Sequence, residues 1–243
     1  ASFEETGLDI ASLGHALSIW LLPIILAITL HEAAHGWAAD RLGDDTARRL
    51  GRVTLNPVRH VDPIGTFLLP GFLLLFAPIV FGWAKPVPVQ VARLRRPKRD
   101  MALVAAAGPA LNFVLALLCA WLLLLPVAIG GDAGLWLQRN LLNAILINLV
   151  LGTFNLFPLP PLDGGRIAVG LLPRPLAERW AALERYGLLI LLALLFLVPL
   201  VTRQLGMEVS PIATFVFGVL EPAVAVVAAL SPWSAGQLWG AML

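Results

Sequence analysis

The chain has 243 residues, of which 59% are hydrophobic and only 13% are charged. A soluble domain carries roughly 25% charged residues, so this composition excludes an ordinary soluble protein and predicts an integral membrane protein. The net charge is only +2 and the basic residues stand mostly in loops beside apolar segments, a membrane-topology pattern that gives no reason to expect a nucleic-acid partner. A single cysteine, Cys119, excludes an internal disulfide framework.

Six apolar segments follow one another along the chain, and a helix needs roughly 20 residues to cross a bilayer. The segments lie at 12–37, 67–82, 101–126, 140–157, 184–202 and 209–230. The last is weakened as a span by two prolines and Glu221. The second is short and is interrupted by Pro70 and Pro78, which indicates a re-entrant element whose backbone is covered by protein rather than a full crossing.

Charges in the loops assign sides to the membrane. Stretches 38–63, 83–100 and 158–186 are rich in arginine and lysine, whereas 127–139 has one basic residue. The positive-inside rule places the first three stretches in the cytoplasm. Stretches 38–63 and 83–100 can lie on the same side only if the segment between them, 67–82, does not cross the membrane. We therefore expect five crossings with the N-terminus outside. The alternative, six crossings, places one basic stretch outside.

Two stretches at this cytoplasmic rim have a strand-like pattern. Residues 49–57 combine β-branched residues with Gly and Pro, and residues 84–91 alternate similarly. They could pair as a small sheet. The predicted fold is therefore an all-α polytopic membrane protein with about five transmembrane helices, a re-entrant element and a small β-sheet at the cytoplasmic rim.

The first apolar segment carries a motif with chemical potential, His31-Glu32-Ala33-Ala34-His35. Two histidines four residues apart lie on one face of a helix and can bind one zinc ion. Glu32, between them, can accept a proton from an attacking water. Three ionisable groups at membrane depth are costly without a function, which favours a metal site over simple packing at a helix end.

Two histidines leave this site incomplete, because a catalytic zinc normally has three protein ligands. The remaining candidates are His15, His60 and a carboxylate. Asp163 is the best of these, because it follows three prolines that must break the preceding helix, and because both the first and fourth apolar segments run toward the cytoplasm. The competing interpretation of Asp163 is a turn residue, since Asp-Gly pairs are common in turns.

Five motifs occur in a fixed order along residues 27 to 170. They are His31 to His35, Gly51 to His60, Phe81 to Val87, Ala107 to Asn112 and Asn155 to Gly165. With these motifs the chain resembles the site-2 protease family of intramembrane zinc metalloproteases, in the minimal form without PDZ or CBS domains. The resemblance implies that His31, His35 and Asp163 bind Zn²⁺, that Glu32 is the catalytic base, and that Asn112 and Asn155 face the site.

For three polar residues within these motifs, the sequence leaves more than one role possible. Asn112 either polarises a scissile carbonyl or hydrogen-bonds a substrate strand, or it makes an interhelical hydrogen bond. The same alternatives hold for Asn155. His60 either supports the site from behind or is a loop histidine.

We therefore expect residues 1–243 to form a single integral membrane metalloprotease domain with its active site toward the cytoplasm. It would cleave a peptide bond within or near a transmembrane segment, so its partners are a membrane protein or peptide substrate and the lipid bilayer. One rival is a membrane transporter, which would need polar lining on several spans. Another is an inactive zinc-binding scaffold, which would have no need of Glu32. The sequence leaves the oligomeric state open.

Overall fold

The computed structural model of the protein describes residues 10–69, 71–72 and 82–242. In these ranges five helical stretches are long and apolar enough to cross a membrane. They are Gly14–Leu42, Pro97–Leu122, Gly131–Asn155, Arg174–Gln204 and Pro211–Ala229. The expectation of a helical, multi-pass membrane protein with about five transmembrane helices is confirmed.

Helices are numbered here in chain order. The first half contains α1 (Ile10–Leu42), α2 (Thr46–Arg49), α3 (Pro97–Leu122), α4 (Leu125–Ile129) and α5 (Gly131–Asn155). The second half contains α6 (Asp163–Leu171), α7 (Arg174–Ala181), α8 (Gly187–Leu192), α9 (Val198–Gln204), α10 (Pro211–Ala229) and α11 (Ala235–Met242). Tighter or wider helical turns occupy Pro57–His60, Pro63–Leu68, Val91–Arg93, Ala182–Tyr186 and Ala193–Leu197.

Three helices form the centre of the molecule: α1, α3 and α5 pack against one another, and α6 packs on α3. The main apolar core joins α3 and α5 to α10 and α11 through side chains such as Ala116, Ile145, Leu149 and Val224. Small residues on α3 allow close approach of its neighbours, which is how helices in membranes gain contact area. The histidines of α1 pack against the same α3, away from this core.

Prolines shape the spans without ending them. Pro211 is the first residue of α10, where a missing N–H costs no helical hydrogen bond, and Pro222 lies inside the same helix. The final apolar segment therefore forms a spanning helix in spite of its two prolines. The span of residues 174–204 is instead built from α7, α8 and α9, joined by two irregular turns.

The expected small β-sheet at the rim is not formed, because the described residues include no strand. Pro86 and Pro88 lack N–H donors, so the stretch 84–91 cannot complete a ladder. In the other stretch, side chains bond to nearby main chain instead: Oδ1 of Asn56 accepts from the Val58 N–H at 3.1 Å. The two stretches still meet where the Arg52 side chain donates to the carbonyls of Lys85 and Pro86.

The expected re-entrant element, residues 67–82, lies largely outside the described residues. The chain on either side of it is described and comes together. The Gln90 N–H donates to the Asp44 carboxylate at 2.6 Å, and the Lys85 N–H donates to the His60 carbonyl at 2.8 Å. After residue 82 the chain therefore returns to the loop that directly follows α1.

Candidate metal centre

Three buried side chains from two helices converge on one point. His31 and His35 lie one turn apart on α1, and their Nε2 atoms are 3.0 Å apart. Asp163 is the first residue of α6, and its Oδ2 lies 3.1 Å from Nε2 of His31 and 3.3 Å from Nε2 of His35. The structure thus brings together the two histidines and the carboxylate that the sequence singled out.

The hydrogen of His35 is assigned by a main-chain carbonyl. Nδ1 of His35 lies 2.8 Å from the carbonyl oxygen of Val104 on α3. A carbonyl oxygen can only accept, so Nδ1 must donate. In the neutral imidazole the lone pair then belongs to Nε2, which points at Asp163 and His31.

A longer chain of hydrogen bonds assigns the hydrogen of His31. It starts from the Ala144 carbonyl, which accepts from Nδ2 of Asn148 at 2.8 Å. The Oδ1 of Asn148 therefore faces Nδ2 of Asn112 at 2.7 Å, and the Oδ1 of Asn112 faces Nδ1 of His31 at 2.6 Å. Each amide orientation follows from the previous one, so Nδ1 of His31 donates and its Nε2 carries a lone pair.

While both imidazoles are neutral, three electron-pair donors therefore face one another without a hydrogen between them. Oδ2 of Asp163 is buried and has no hydrogen-bond partner. Buried polar atoms in such an arrangement are unfavourable unless a cation joins them. Two imidazole nitrogens and a carboxylate oxygen are the ligand types that zinc takes in hydrolytic sites with one position left open. The donor set fits zinc.

Asp163 is held in its ionised form. Burial acts to raise the pKa of the Asp163 carboxyl, but hydrogen bonds and charge from the two adjacent histidines, which can take up a proton at Nε2 when no metal is bound, outweigh burial and keep that pKa below its ordinary value. Its place in the first turn of α6 adds the favourable end of the helix dipole. A metal needs the carboxylate rather than the acid, so this environment suits a ligand.

Two glycines make room for this arrangement. A Cβ at Gly108 of α3 would lie 2.5 Å from Nε2 of His35 and 2.6 Å from Cε1 of His31. A Cβ at Gly164 would overlap the carbonyl of Leu156, where the chain folds back after α5. Gly108 therefore lets α3 pass behind the imidazoles, and Gly164 lets α6 begin close to the end of α5.

Glu32 lies beside the three donors, on a cavity of about 380 Å³. Its Oε2 accepts a hydrogen bond from the Val87 N–H at 2.8 Å. Apolar side chains form most of the cavity wall, including Ile28, Val87, Met101, Leu162 and Leu191. His31, Glu32, His35 and Asp163 all line the cavity, so a bound molecule would contact the Glu32 carboxylate and the three donors together.

The three residues with open roles take different positions. Asn112 is fully buried, and both its oxygen and its nitrogen are engaged behind His31, as the interhelical alternative requires. Asn155 lines the cavity, with Nδ2 donating to the Leu151 carbonyl at 3.0 Å. His60 is buried away from the cavity, where burial and the nearby Arg52 hold its pKa below the ordinary value.

One polar residue of the site was missed by sequence reasoning. Asn148 connects Asn112 to the main chain of α5 and lies seven residues, two helical turns, before Asn155. The available signal was a polar residue inside an apolar spanning segment, which marks a functional candidate. Its partner is 36 residues away, so no local spacing could reveal the pair.

Comparisons with known proteins identify the family of the chain. The model of peptidase family M50 matches residues 126–198. The chain is 41% identical to "Putative zinc metalloprotease YwhC" of Bacillus subtilis over 184 residues, which cover 74% of this chain and 80% of that protein. It is 30% identical to "Putative zinc metalloprotease Rip2" of Mycolicibacterium smegmatis, over 70% of this chain and 64% of the relative.

A second relative of the same name, from Mycobacterium tuberculosis, is 32% identical over 72% of this chain and 65% of its own length. No solved structure is significantly similar to the chain. The extent of the match to the Bacillus protein shows the family of this chain, and its five long apolar helices show that it is an integral membrane protein. The chain belongs to peptidase family M50, the site-2 proteases, and is a multi-pass membrane zinc metalloprotease.

Proposed function

We propose that this protein is an intramembrane endopeptidase that cuts a peptide bond within or near a transmembrane segment of a membrane protein. His31, His35 and Asp163 hold the zinc, and Glu32 is the catalytic base. The observation that carries the proposal is the convergence of three buried electron-pair donors beside a carboxylate, on an apolar cavity between spanning helices.

Each residue has a defined part in hydrolysis. A bound zinc ion supplies a Lewis acid that makes water acidic and polarises a carbonyl. Glu32 accepts the proton of the attacking water and returns it to the leaving amine when the carbon–nitrogen bond breaks. The Nε2 lone pairs of His31 and His35 stay directed toward Asp163, where the metal would bind, because both Nδ1 hydrogens are donated to groups of α3. His31 donates to Oδ1 of Asn112, and His35 donates to the Val104 carbonyl.

The substrate must be unwound before it is cut, because a transmembrane helix shields its peptide bonds with its own hydrogen bonds. Residues 82–90 run without regular structure along the cavity, and Val87 and Val89 contribute to its wall. We propose that an extended stretch of substrate lies beside this segment, through contacts that do not need the continuous ladder that Pro86 and Pro88 rule out. Asn155 lies on the same cavity and is placed to hydrogen-bond a substrate peptide group.

The rival functions fit less well. A transporter needs a polar path, whereas the wall of this cavity is mostly apolar, and four of its five titratable residues are Glu32 and the three clustered donors. A purely structural zinc site needs no base, whereas here the Glu32 carboxylate lines the cavity beside the three donors. The basic stretches that follow α1 and precede α3 favour a site toward the cytoplasmic side.

Metal analysis tests the ligand set. Wild-type protein purified in detergent is expected to contain one zinc per chain, and Asp163→Ala to lose most of it because only two ligands remain. Asp132→Ala, which removes an exposed carboxylate at the start of α5, serves as the control and should keep its zinc. Full zinc occupancy at unchanged affinity in Asp163→Ala would remove Asp163 from the ligand set.

A further inference from the structure

A buried arginine outside the metal centre donates, among the described residues, to main-chain carbonyls through Nη2, while its Nε has no hydrogen-bond partner there. Arg52 is 7% exposed, and its Nη2 donates to the carbonyls of Lys85 at 2.6 Å and of Pro86 at 3.3 Å. Among the described residues no carboxylate forms an ion pair with it. Burying a cation is costly unless it is hydrogen-bonded. Charge-assisted hydrogen bonds from the guanidinium to two successive carbonyls are strong, and they hold that stretch of backbone in place.

The stretch that Arg52 holds leads directly to the catalytic base. Pro86 and Pro88 have no N–H, so Val87 carries the only main-chain donor between Lys85 and Val89. That N–H donates to Oε2 of Glu32 at 2.8 Å. The Lys85 N–H is engaged by the His60 carbonyl at 2.8 Å, so this short backbone stretch is held from both ends.

We propose that Arg52 is a positioning residue for Glu32, acting through the backbone of residues 85–87. This inference rests on the proposed role of Glu32 as the catalytic base. Arg52 fixes the two carbonyls, which aims the Val87 N–H at Oε2 of Glu32. With Oε2 occupied, Oε1 is the oxygen left for proton transfer, at a fixed place on the cavity.

Arginine suits this task better than lysine. In the planar guanidinium the two N–H bonds of Nη2 have fixed directions and serve the two neighbouring carbonyls, whereas an ammonium is a point charge on a flexible chain. Lysine at residue 52 should therefore preserve part of the positioning. Arg52 makes its hydrogen bonds to Lys85 and Pro86 and not to His31, His35 or Asp163. Zinc binding should therefore not depend on whether residue 52 is arginine or lysine.

The test measures kcat, KM and zinc content of the full-length protein in detergent with a model transmembrane peptide. Arg52→Gln should lower kcat by about 10- to 100-fold, the cost of a small misplacement of a catalytic group, with zinc content and KM within about twofold of wild type. Arg52→Lys should recover part of the loss. Arg59→Gln, which removes an exposed arginine of the same loop, is the matched control and should behave as wild type.

A second variant tests the proposed path. Val87→Pro deletes the N–H that Glu32 accepts and should lower kcat to a similar degree, whereas Val87→Ala keeps the N–H and should have a smaller effect. If Arg52 acts through this hydrogen bond, the double variant Arg52→Gln/Val87→Pro should be little worse than the more impaired single variant.

Glu32→Gln, measured alongside, separates the two levels of the argument. Wild-type kcat in Arg52→Gln with an inactive Glu32→Gln overturns the positioning role and leaves the proposed function standing. Zinc loss in Arg52→Gln, or multiplicative losses in the double variant, likewise overturn it. Wild-type activity in Glu32→Gln overturns the proposed function itself.

Discussion

At the scale of single residues, the two histidines have their hydrogens assigned by different means. His35 donates to a main-chain carbonyl of α3 directly, and a carbonyl cannot change its role. His31 depends on two amides in series, and the direction of both is fixed by one carbonyl of α5. The second arrangement is the more vulnerable, because the loss of either amide frees His31 to rotate or change tautomer.

Asn148 should therefore contribute to zinc affinity without touching the metal. Asn148→Leu removes the partner that orients Asn112, and groups behind a ligand typically change metal affinity by 10- to 100-fold. Asn148 lies one residue further from the metal than such groups, because it acts through Asn112. We therefore expect zinc affinity to fall by about tenfold, the lower end of this range. Competition with a coloured chelator measures this affinity.

Asn140→Leu is the matched control for this prediction. Asn140 is also a buried asparagine of α5, and its Nδ2 donates only within its own helix, to the Trp136 carbonyl. Its replacement should leave zinc affinity unchanged. Equal zinc affinity in Asn148→Leu and wild type would show that the amide chain does not control His31.

The residue scale also shows what a sequence can reveal about a site. The spacing of His31 and His35 follows from helix geometry and could be recognised locally. The approach of Asp163 could be argued from topology, because broken backbone followed the fourth apolar segment. The role of Asn148 could not be predicted, since an asparagine in an apolar helix marks a candidate but reveals neither its partner nor its direction. The catalytic and ligand roles of these residues stay predictions.

At the scale of elements, one carboxylate ties the end of α1 to the segment that borders the cavity. Asp44 is fully buried, with Oδ1 accepting from the Thr46 N–H at 3.1 Å and Oδ2 from the Gln90 N–H at 2.6 Å. Burial acts to raise the pKa of the Asp44 carboxyl, but these hydrogen bonds and the nearby Arg93 outweigh it and hold the pKa below its ordinary value. The junction therefore depends on pH.

Asp44 should stabilise the protein only where it is ionised. Its pKa is lower in the folded than in the unfolded chain, so the stabilisation is complete above the unfolded pKa of about 3.9 and is lost as the pH falls through the folded pKa. Asp44→Asn turns one accepting oxygen into a donor, and losing a hydrogen bond to a charged group costs about 2 kcal/mol. We expect its thermal unfolding midpoint at pH 7 to fall by roughly 4–8 °C.

The difference between Asp44→Asn and wild type should shrink as the pH falls below 4, because the wild-type carboxyl then becomes protonated as well. Asp132→Asn, at an exposed carboxylate, should match wild type throughout. Thermal unfolding in detergent between pH 3 and 7 provides the measurement. A difference that does not vary with pH, or no difference at pH 7, would contradict this account of Asp44.

Elements were predictable where they are long and apolar. The five spans were expected because length and hydropathy decide whether a helix crosses a membrane. The rim between α1 and α3 was not, because alternation in 84–91 indicates a strand while Pro86 and Pro88 remove the donors a strand needs. Side-chain hydrogen bonds decide the path of that segment, and they depend on partners distant in sequence.

At the scale of the whole molecule, the meeting of Asp44 with Gln90 bears on the topology. Because the two loops are in hydrogen-bond contact, we expect them to share one side of the membrane, and their basic residues predict that this side is cytoplasmic. Single cysteines replacing Arg59, Gln90 and Asp132 in a Cys119→Ala background test this arrangement. A membrane-impermeant thiol reagent should label only Asp132→Cys in intact cells, and the other two after permeabilisation. Labelling of Gln90→Cys without Arg59→Cys in intact cells would favour six crossings.

The central claim is that Glu32 performs the proton transfers at a zinc site it does not help to build. The most direct measurement compares Glu32→Gln with wild type for zinc content and for cleavage of a model transmembrane peptide in the same preparation. Glutamine has nearly the same shape but cannot accept the proton, so the variant should keep one zinc per chain and lose cleavage. Cleavage at the wild-type rate by Glu32→Gln would contradict the mechanism.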